Sequence, residues 1–128
     1  MISPSEIQHM QYEERGDVGI WTLENFGEYF QSGEIEKGES HYREVASADR
    51  MEGTVIVIED AQDLGAEIRE SLDHINEEWS RLADEVGVDR VAYVAGGMMA
   101  SAVKAKVDAD AEQDSFDAID EAVEWARG

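Results

Sequence analysis

Three carboxylates, Glu59, Asp60 and Asp63, follow an apolar run at positions 54–58. Carboxylate oxygens are the ligands that hard cations such as Ca²⁺ prefer. Their spacing is not that of an EF-hand loop, and Asp60 stands where a following helix would need an N-cap. We therefore interpret the cluster as the start of a helix and predict no metal site there.

Two glycines, Gly96 and Gly97, follow a second apolar run and precede a short helical segment. Backbone N–H groups at such a turn can approach an anion. The pair matches neither a P-loop nor a dinucleotide-binding fingerprint, so a tight strand-to-helix turn is the simpler interpretation. Ser101 lies close by, but no histidine lies near it in sequence to act as its base.

Met98 and Met99, beside the glycines, are either core residues or an adaptable apolar surface. An exposed methionine here would lie at the carboxyl end of the parallel strands, where ligands of open α/β sheets usually bind. The same end would present Asp60, Ala61 and Gly96. This convergence is our predicted binding site, and it follows from fold geometry alone.

Three aromatic residues, Phe26, Tyr29 and Phe30, have the spacing of one helix face. One interpretation is that their rings cap one end of the core. The other is that they form a binding surface or the mouth of a pocket. Both interpretations predict that the rings lie together.

Catalytic and metal-binding residues are not predicted. The three histidines, His9, His41 and His74, are isolated, lack ligand spacing and are expected at the surface or at sheet edges. The chain has no cysteine, which excludes thiolate chemistry and disulfides. Because no nucleophile, base and orienting group can be assembled, we predict no enzyme and no cofactor.

The stretch from Gly53 to Gly97 is predicted to organise the fold. Its β-branched run at 54–58 is typical of a strand buried on both faces, and residues 90–95 form a similar run. Strand, helix and strand of this length imply a parallel pair joined by a right-handed crossover. The intervening helix is predicted from seven apolar residues at steps of three or four: Leu64, Ile68, Leu72, Ile75, Trp79, Leu82 and Val86.

The flanking segments complete an α/β fold. A turn at Arg15-Gly16-Asp17 predicts a hairpin, Gly38 weakens the helix that contains it, and Gly87 suits a helix C-cap. The predicted elements are hairpin strands at 9–14 and 18–23, a helix at 33–48, a short strand at 107–111 and a last helix capped by Asp117.

A length of 128 residues favours one domain, 1–128, with residues 1–9 as a loose lead-in. No apolar stretch approaches the roughly 18 residues of a membrane span. The first residues have neither the basic start nor the apolar core of a signal peptide. We therefore expect a cytoplasmic protein.

The net charge is −21, from 31 acidic and 10 basic residues, and the acids occur in every segment. One interpretation is a surface adapted to molar salt, where a Debye length of roughly 3 Å screens the repulsion. The other is an acidic surface made for a basic partner, or a mimic of nucleic acid. The spread of charge favours salt adaptation, because a mimic should concentrate its acids on one face. Binding to nucleic acid is not expected, since no basic patch is present.

The sequence resembles the STAS fold of the anti-sigma-factor antagonists, and most closely its SpoIIAA-like branch. The segments that carry the resemblance are Thr54–Asp60, Asp89–Val94 and Ser115–Trp125. The resemblance implies a single domain with a mixed sheet of four to five strands packed with helices. It also implies a non-enzymatic role in binding proteins, nucleotides or small apolar ligands. Ala61 stands where the phosphorylatable antagonists carry a serine, so the phosphosite is not carried over.

The predicted function is a regulatory or scaffold module that binds a protein partner in a salt-adapted cytoplasm. The alternative is a carrier of a lipid or nucleotide, with its pocket under the rings of Phe26, Tyr29 and Phe30. A sizeable pocket lined by those rings favours the carrier. A flat apolar patch around Met98 and Met99 favours the protein-binding module.

Overall fold

A computed structural model describes residues 7–47, 52–59, 68–95, 99–107 and 111–127. It shows one five-stranded sheet with the strands side by side in chain order. The first two strands pair antiparallel, and every later pair is parallel. The predicted α/β class with a mixed sheet is therefore confirmed. The strands are β1 (Met10–Arg15), β2 (Val18–Leu23), β3 (Gly53–Ile58), β4 (Arg90–Ala95) and β5 (Glu112–Phe116).

β3 lies in the middle of the sheet, and all six of its residues are buried. Ile56 and Ile58 belong to the larger apolar core, whereas Val55 and Val57 belong to the smaller one. This alternation is what a strand with helices on both faces requires. The prediction of a central strand buried on both sides is confirmed.

The helices divide unequally between the two faces of the sheet. α6 packs on β3 and β4 and supplies the helical residues of the smaller core. Side chains of the other helices join the larger core on the opposite face. The helices are α1 (Phe26–Gln31), α2 (Glu34–Ala46), α3 (Ile68–His74), α4 (Ser80–Val86), α5 (Met99–Lys106) and α6 (Ile119–Ala126).

The long crossover helix differs from its prediction. A π-helical turn at Ile75–Trp79, here called the π turn, separates α3 from α4. Ile75, Leu82 and Val86 are buried as the apolar stripe requires, whereas Leu72 and Trp79 are partly exposed and Leu64 lies outside the described residues. Gly87 ends α4 with a φ of 70°, which confirms the predicted C-cap.

The hairpin is confirmed, with Gly16 at a φ of 63° in its turn. The last described strand is β5, Glu112–Phe116, and not the short strand predicted at 107–111, of which residues 108–110 lie outside the described residues. A polar strand is tolerated there because β5 pairs with β4 alone among the described strands. Ala118, and not Asp117, is the N-cap of α6.

Candidate apolar binding pocket

A recess opens on the larger-core face of the sheet, between the strands and the helices α2 and α4. Its free space is about 40 Å³, and its total volume, counted out to open solvent, is about 470 Å³. The smaller figure limits what fits without movement of the walls. The lining residues are Met10, Trp21, Leu23, Tyr29, Gly38, Glu39, Tyr42, Ile56, Trp79, Leu82, Ala83, Val91 and Tyr93.

The floor of the pocket is a row of side chains across three strands. Trp21 on β2 is in register with Ile56 on β3, and Ile56 is in register with Tyr93 on β4. Residues in register point to the same face of a sheet, so the three side chains lie next to one another. All three are buried. The floor is therefore set by strand register, with one aromatic ring on each side of one aliphatic residue.

Gly38 on α2 makes room for a pocket wall. A Cβ built on Gly38 would collide with the hydroxyl oxygen of Tyr29 and would lie 3.2 Å from the sulfur of Met10. Tyr29 is 2% exposed, so its ring occupies a fixed place against the helix. The glycine that weakens the helix by propensity is thus required by the packing of the ring.

The mouth of the pocket lies at Glu39 and Trp79, which are the partly exposed residues of the lining. Trp79 Nε1 donates a hydrogen bond of 3.0 Å to Glu39 Oε2. The Nε2 atom of His74 lies 2.6 Å from the same oxygen. These two contacts connect the crossover helix to α2 at the entrance.

The π turn explains how His74 and Trp79 reach one carboxylate. On a regular α-helix, residues five apart point about 140° away from each other. A π turn closes its backbone bonds over five residues, which brings such a pair to the same side. The turn at Ile75–Trp79 spans this interval. Irregular helical geometry is thus used to build the entrance.

Burial controls the protonation of the ionisable groups in the pocket. Burial raises the pKa of Glu39, while the hydrogen bonds from His74 and Trp79 act to lower it. Burial raises the pKa of Tyr42 to about 12, and burial likewise raises the pKa of Tyr29 and of Tyr93. The phenols are therefore neutral at physiological pH. Among the described lining residues, Glu39 is the one that can carry a charge near neutrality.

One of the three histidines is not the surface or sheet-edge residue that the sequence analysis predicted. His41 is 4% exposed, and its Nδ1 accepts a hydrogen bond of 2.9 Å from Nε1 of Trp21. Burial lowers the pKa of His41. His9 and His74 are partly buried and pair with glutamates. For His41 the prediction is wrong, because its position beside Tyr42 on the buried side of α2 outweighs its polarity.

The three aromatic residues, which were expected either to cap the core or to form a binding surface, have different surroundings in the structure. Tyr29 lines the pocket, but Phe26 is fully buried beside it, with a ring distance of 6.1 Å. Phe30 packs against the imidazole of His74 at 5.7 Å. Phe26 thus fits the interpretation as a core residue, whereas Tyr29 lines the candidate pocket.

Most of the other predicted site residues lie outside the described residues: Asp60, Ala61, Gly96, Gly97 and Met98. Met99 is the first residue of α5. A shallow groove does lie near the carboxyl ends of β3 and β4, between Glu59 and the start of α6. An ion pair of 2.9 Å between Arg15 and Asp120 stands beside it.

Sequence reasoning missed the residues that define the pocket floor and mouth. Trp21 and Tyr93 were included only in strand runs, and Trp79 only in an apolar stripe. Glu39 was one acid among 31. The available signal was weak: Glu39 follows directly after Gly38, a glycine inside a helical pattern, which can mark close packing.

No protein-family model matches the chain, and neither a curated protein nor a solved structure matches it. Among the described residues, no group of three or more histidine, aspartate or glutamate side chains is arranged to hold a metal ion. Within the same residues, no helix is long and apolar enough to cross a membrane.

Proposed function

We propose that the protein binds a small apolar ligand, without catalysis, in the pocket between α2 and the π turn. The observation that carries this proposal is the combination of a buried aromatic floor with a mouth closed by side-chain hydrogen bonds. Concave sites lined by apolar and aromatic side chains, with a few placed polar groups, are typical of ligand pockets.

Ligand entry requires the mouth to open. A free space of about 40 Å³ holds roughly three water molecules, at 10–15 Å³ for each. A larger ligand must separate Trp79 from Glu39 and push Leu82, which lies on α4, away from the pocket floor. Breaking one such hydrogen bond costs about 1–3 kcal/mol, which burial of the ligand's apolar surface can offset. Because π turns are frequent at functional sites, the one next to Trp79 is a suitable point for this movement.

The SpoIIAA-like STAS assignment belongs to this proposal. The five-stranded mixed sheet is consistent with that resemblance, which itself implies ligand binding without catalysis. The charge of −21 supports a place in a salt-rich cytoplasm. The hypothesis of a protein-binding module depends on Met98 and Met99, whose side chains lie outside the described part of the chain. It stays a prediction from the sequence.

The test uses tryptophan fluorescence during titration with benzyl alcohol, a small neutral aromatic probe. Trp21 and Trp79 line the pocket, whereas Trp125 packs with the smaller core on the opposite face. We expect a saturable change that persists in Trp125→Phe and shrinks in Trp79→Phe.

A variant with a filled pocket provides the control. Ala83→Leu adds bulk to the lining and should abolish binding, whereas Ala102→Leu makes the same change on α5, away from the pocket. Thermal melts establish that both variants fold. A wild-type protein without a saturable response, or an Ala83→Leu variant that binds as well as wild type, would contradict the proposal.

A further inference from the structure

The charge and aromatic character of the pocket identify the class of ligand. We propose that the ligand is an apolar organic cation, whose ammonium group pairs with Glu39 and whose apolar body lies among the pocket's rings. This inference depends on the proposed ligand-binding function and adds the chemistry of the ligand to it. It excludes fatty acids and nucleotides, which are anions.

The first support is the electrostatic balance of the lining. Glu39 has a side chain that is 13% exposed and stands at the mouth. No lysine or arginine belongs to the lining among the described residues. A carboxylate or phosphate ligand would therefore be desolvated next to the carboxylate of Glu39, whose one basic partner among the described residues, His74, already pairs with it, and this is unfavourable. A cation would meet an opposite charge in the same place.

The second support is the arrangement of the hydrogen bonds to Glu39. A neutral imidazole protonated on Nε2 suffices to donate to Glu39 Oε2, as Trp79 Nε1 also does. Both donors orient the carboxylate without requiring that its charge be neutralised. His74 is itself held by the ring of Phe30. Glu39 is thus a carboxylate whose position at the entrance of an apolar space is fixed by two neighbouring side chains.

The third support is the number of rings around the pocket. Five aromatic side chains belong to the lining, and two of them, Trp21 and Tyr42, have ring centroids 4.7 Å apart. Aromatic faces attract ammonium groups through the negative potential of the ring. Because burial keeps the phenols neutral, the tyrosines act as rings and not as anions. The lining rings are Trp21, Tyr29, Tyr42, Trp79 and Tyr93.

The surface of the protein favours the same class of ligand. A net charge of −21 raises the local concentration of cations and lowers that of anions near the entrance. Salt screens this long-range effect, but it screens a partly buried pair with Glu39 much less. Discrimination at the pocket should therefore persist at molar salt.

The experiment compares three probes of nearly equal shape by titration at pH 7.5 in 2 M KCl. Benzylamine is a cation, benzyl alcohol is neutral and benzoate is an anion. We expect benzylamine to bind about tenfold more tightly than benzyl alcohol, and benzoate not to bind at all. Glu39→Gln keeps the acceptor oxygen for His74 and Trp79 but removes the charge. In this variant we expect benzylamine to bind no more tightly than benzyl alcohol, whose affinity stays the same.

The control variant is Glu36→Gln, which removes an exposed charge from the same helix and should leave all three affinities unchanged. If wild type binds benzyl alcohol or benzoate as tightly as benzylamine, the inference fails while ligand binding stands. A Glu39→Gln variant that prefers benzylamine over benzyl alcohol as strongly as wild type does would also overturn the inference. If none of the probes binds, the proposed function fails and takes this inference with it. If a variant does not fold, the three probe affinities measured on the wild-type protein still test the inference.

Discussion

Replacement of Gly38 by alanine provides a direct test of how the pocket wall is packed. The added Cβ would overlap the hydroxyl of Tyr29 and lie 3.0 Å from its Cζ atom. Tyr29 is 2% exposed, so its ring cannot move aside into solvent without disturbing the core. We therefore expect the substitution to destabilise the fold even though alanine is the better helix former.

The magnitude follows from two opposing contributions. Alanine in place of glycine inside a helix gains about 1 kcal/mol. Overpacking of a buried site costs about 1–3 kcal/mol, and an overlap this close belongs at the upper end. The expected net loss is about 2 kcal/mol. With an m-value of about 2 kcal/mol/M for urea, the unfolding midpoint should fall by roughly 1 M.

A double-mutant cycle separates the overlap from other effects of the substitution. Tyr29→Phe removes the oxygen that the new Cβ would meet, so Gly38→Ala should cost far less in that background. We expect a coupling energy of about 2 kcal/mol from urea unfolding of the four proteins. If Gly38→Ala raises the midpoint in the wild-type background, helix propensity dominates. The described contact between α2 and the ring of Tyr29 would then be wrong.

Three further predictions concern the core, its buried histidine and the charged surface. Ile56→Asp should prevent folding, because it places a charge without a partner in a buried strand; a melting temperature equal to that of wild type would contradict this. Burial lowers the pKa of His41, so the imidazole of this residue binds a proton more readily in the unfolded chain than in the folded one. The contribution of His41 to the free energy of unfolding therefore falls as the pH drops below about 6.5. In 2 M KCl, the urea midpoint of wild type should therefore fall more between pH 7.5 and 5.5 than that of His41→Asn, which keeps an acceptor for Trp21; equal losses would show that His41 does not titrate differently on folding. Finally, the urea midpoint at pH 7 should rise steeply between about 0.05 and 2 M KCl, as the Debye length falls from roughly 14 to 2 Å. A midpoint that stays flat would argue against salt adaptation.

Elements specified by their own residues could be predicted from the sequence. The β-branched run of β3, the glycine turn of the hairpin and the C-cap at Gly87 each depend on a few adjacent positions. The π turn could not be predicted, because an apolar stripe at steps of three or four describes a regular helix. The position of β5 was not predicted because its polar residues carry no strand signal. This strand is defined by its pairing with β4, which is distant in the sequence.

Apart from Tyr29, which was named from the sequence, the pocket lining could not be predicted because its residues are far apart in the chain. Trp21, Ile56 and Tyr93 come together through the register of three strands, which no local pattern encodes. Glu39 becomes distinctive only when His74 and Trp79 are placed against it. Among so many acids, its role depends on tertiary contacts and not on residue type.

The unequal division of the helices has a consequence for how the molecule can open. α6 approaches the sheet so closely that a Cβ on Gly53 would collide with the backbone of Ala126. This face can hold β3 and β4 together while the helices on the pocket face move. Amide protons of β3 should then exchange with solvent only through global unfolding, whereas those of α4 and the π turn exchange through a local opening of lower free energy. The proposed ligand would then enter on one side of the sheet while the cooperative unit on the other side stays intact.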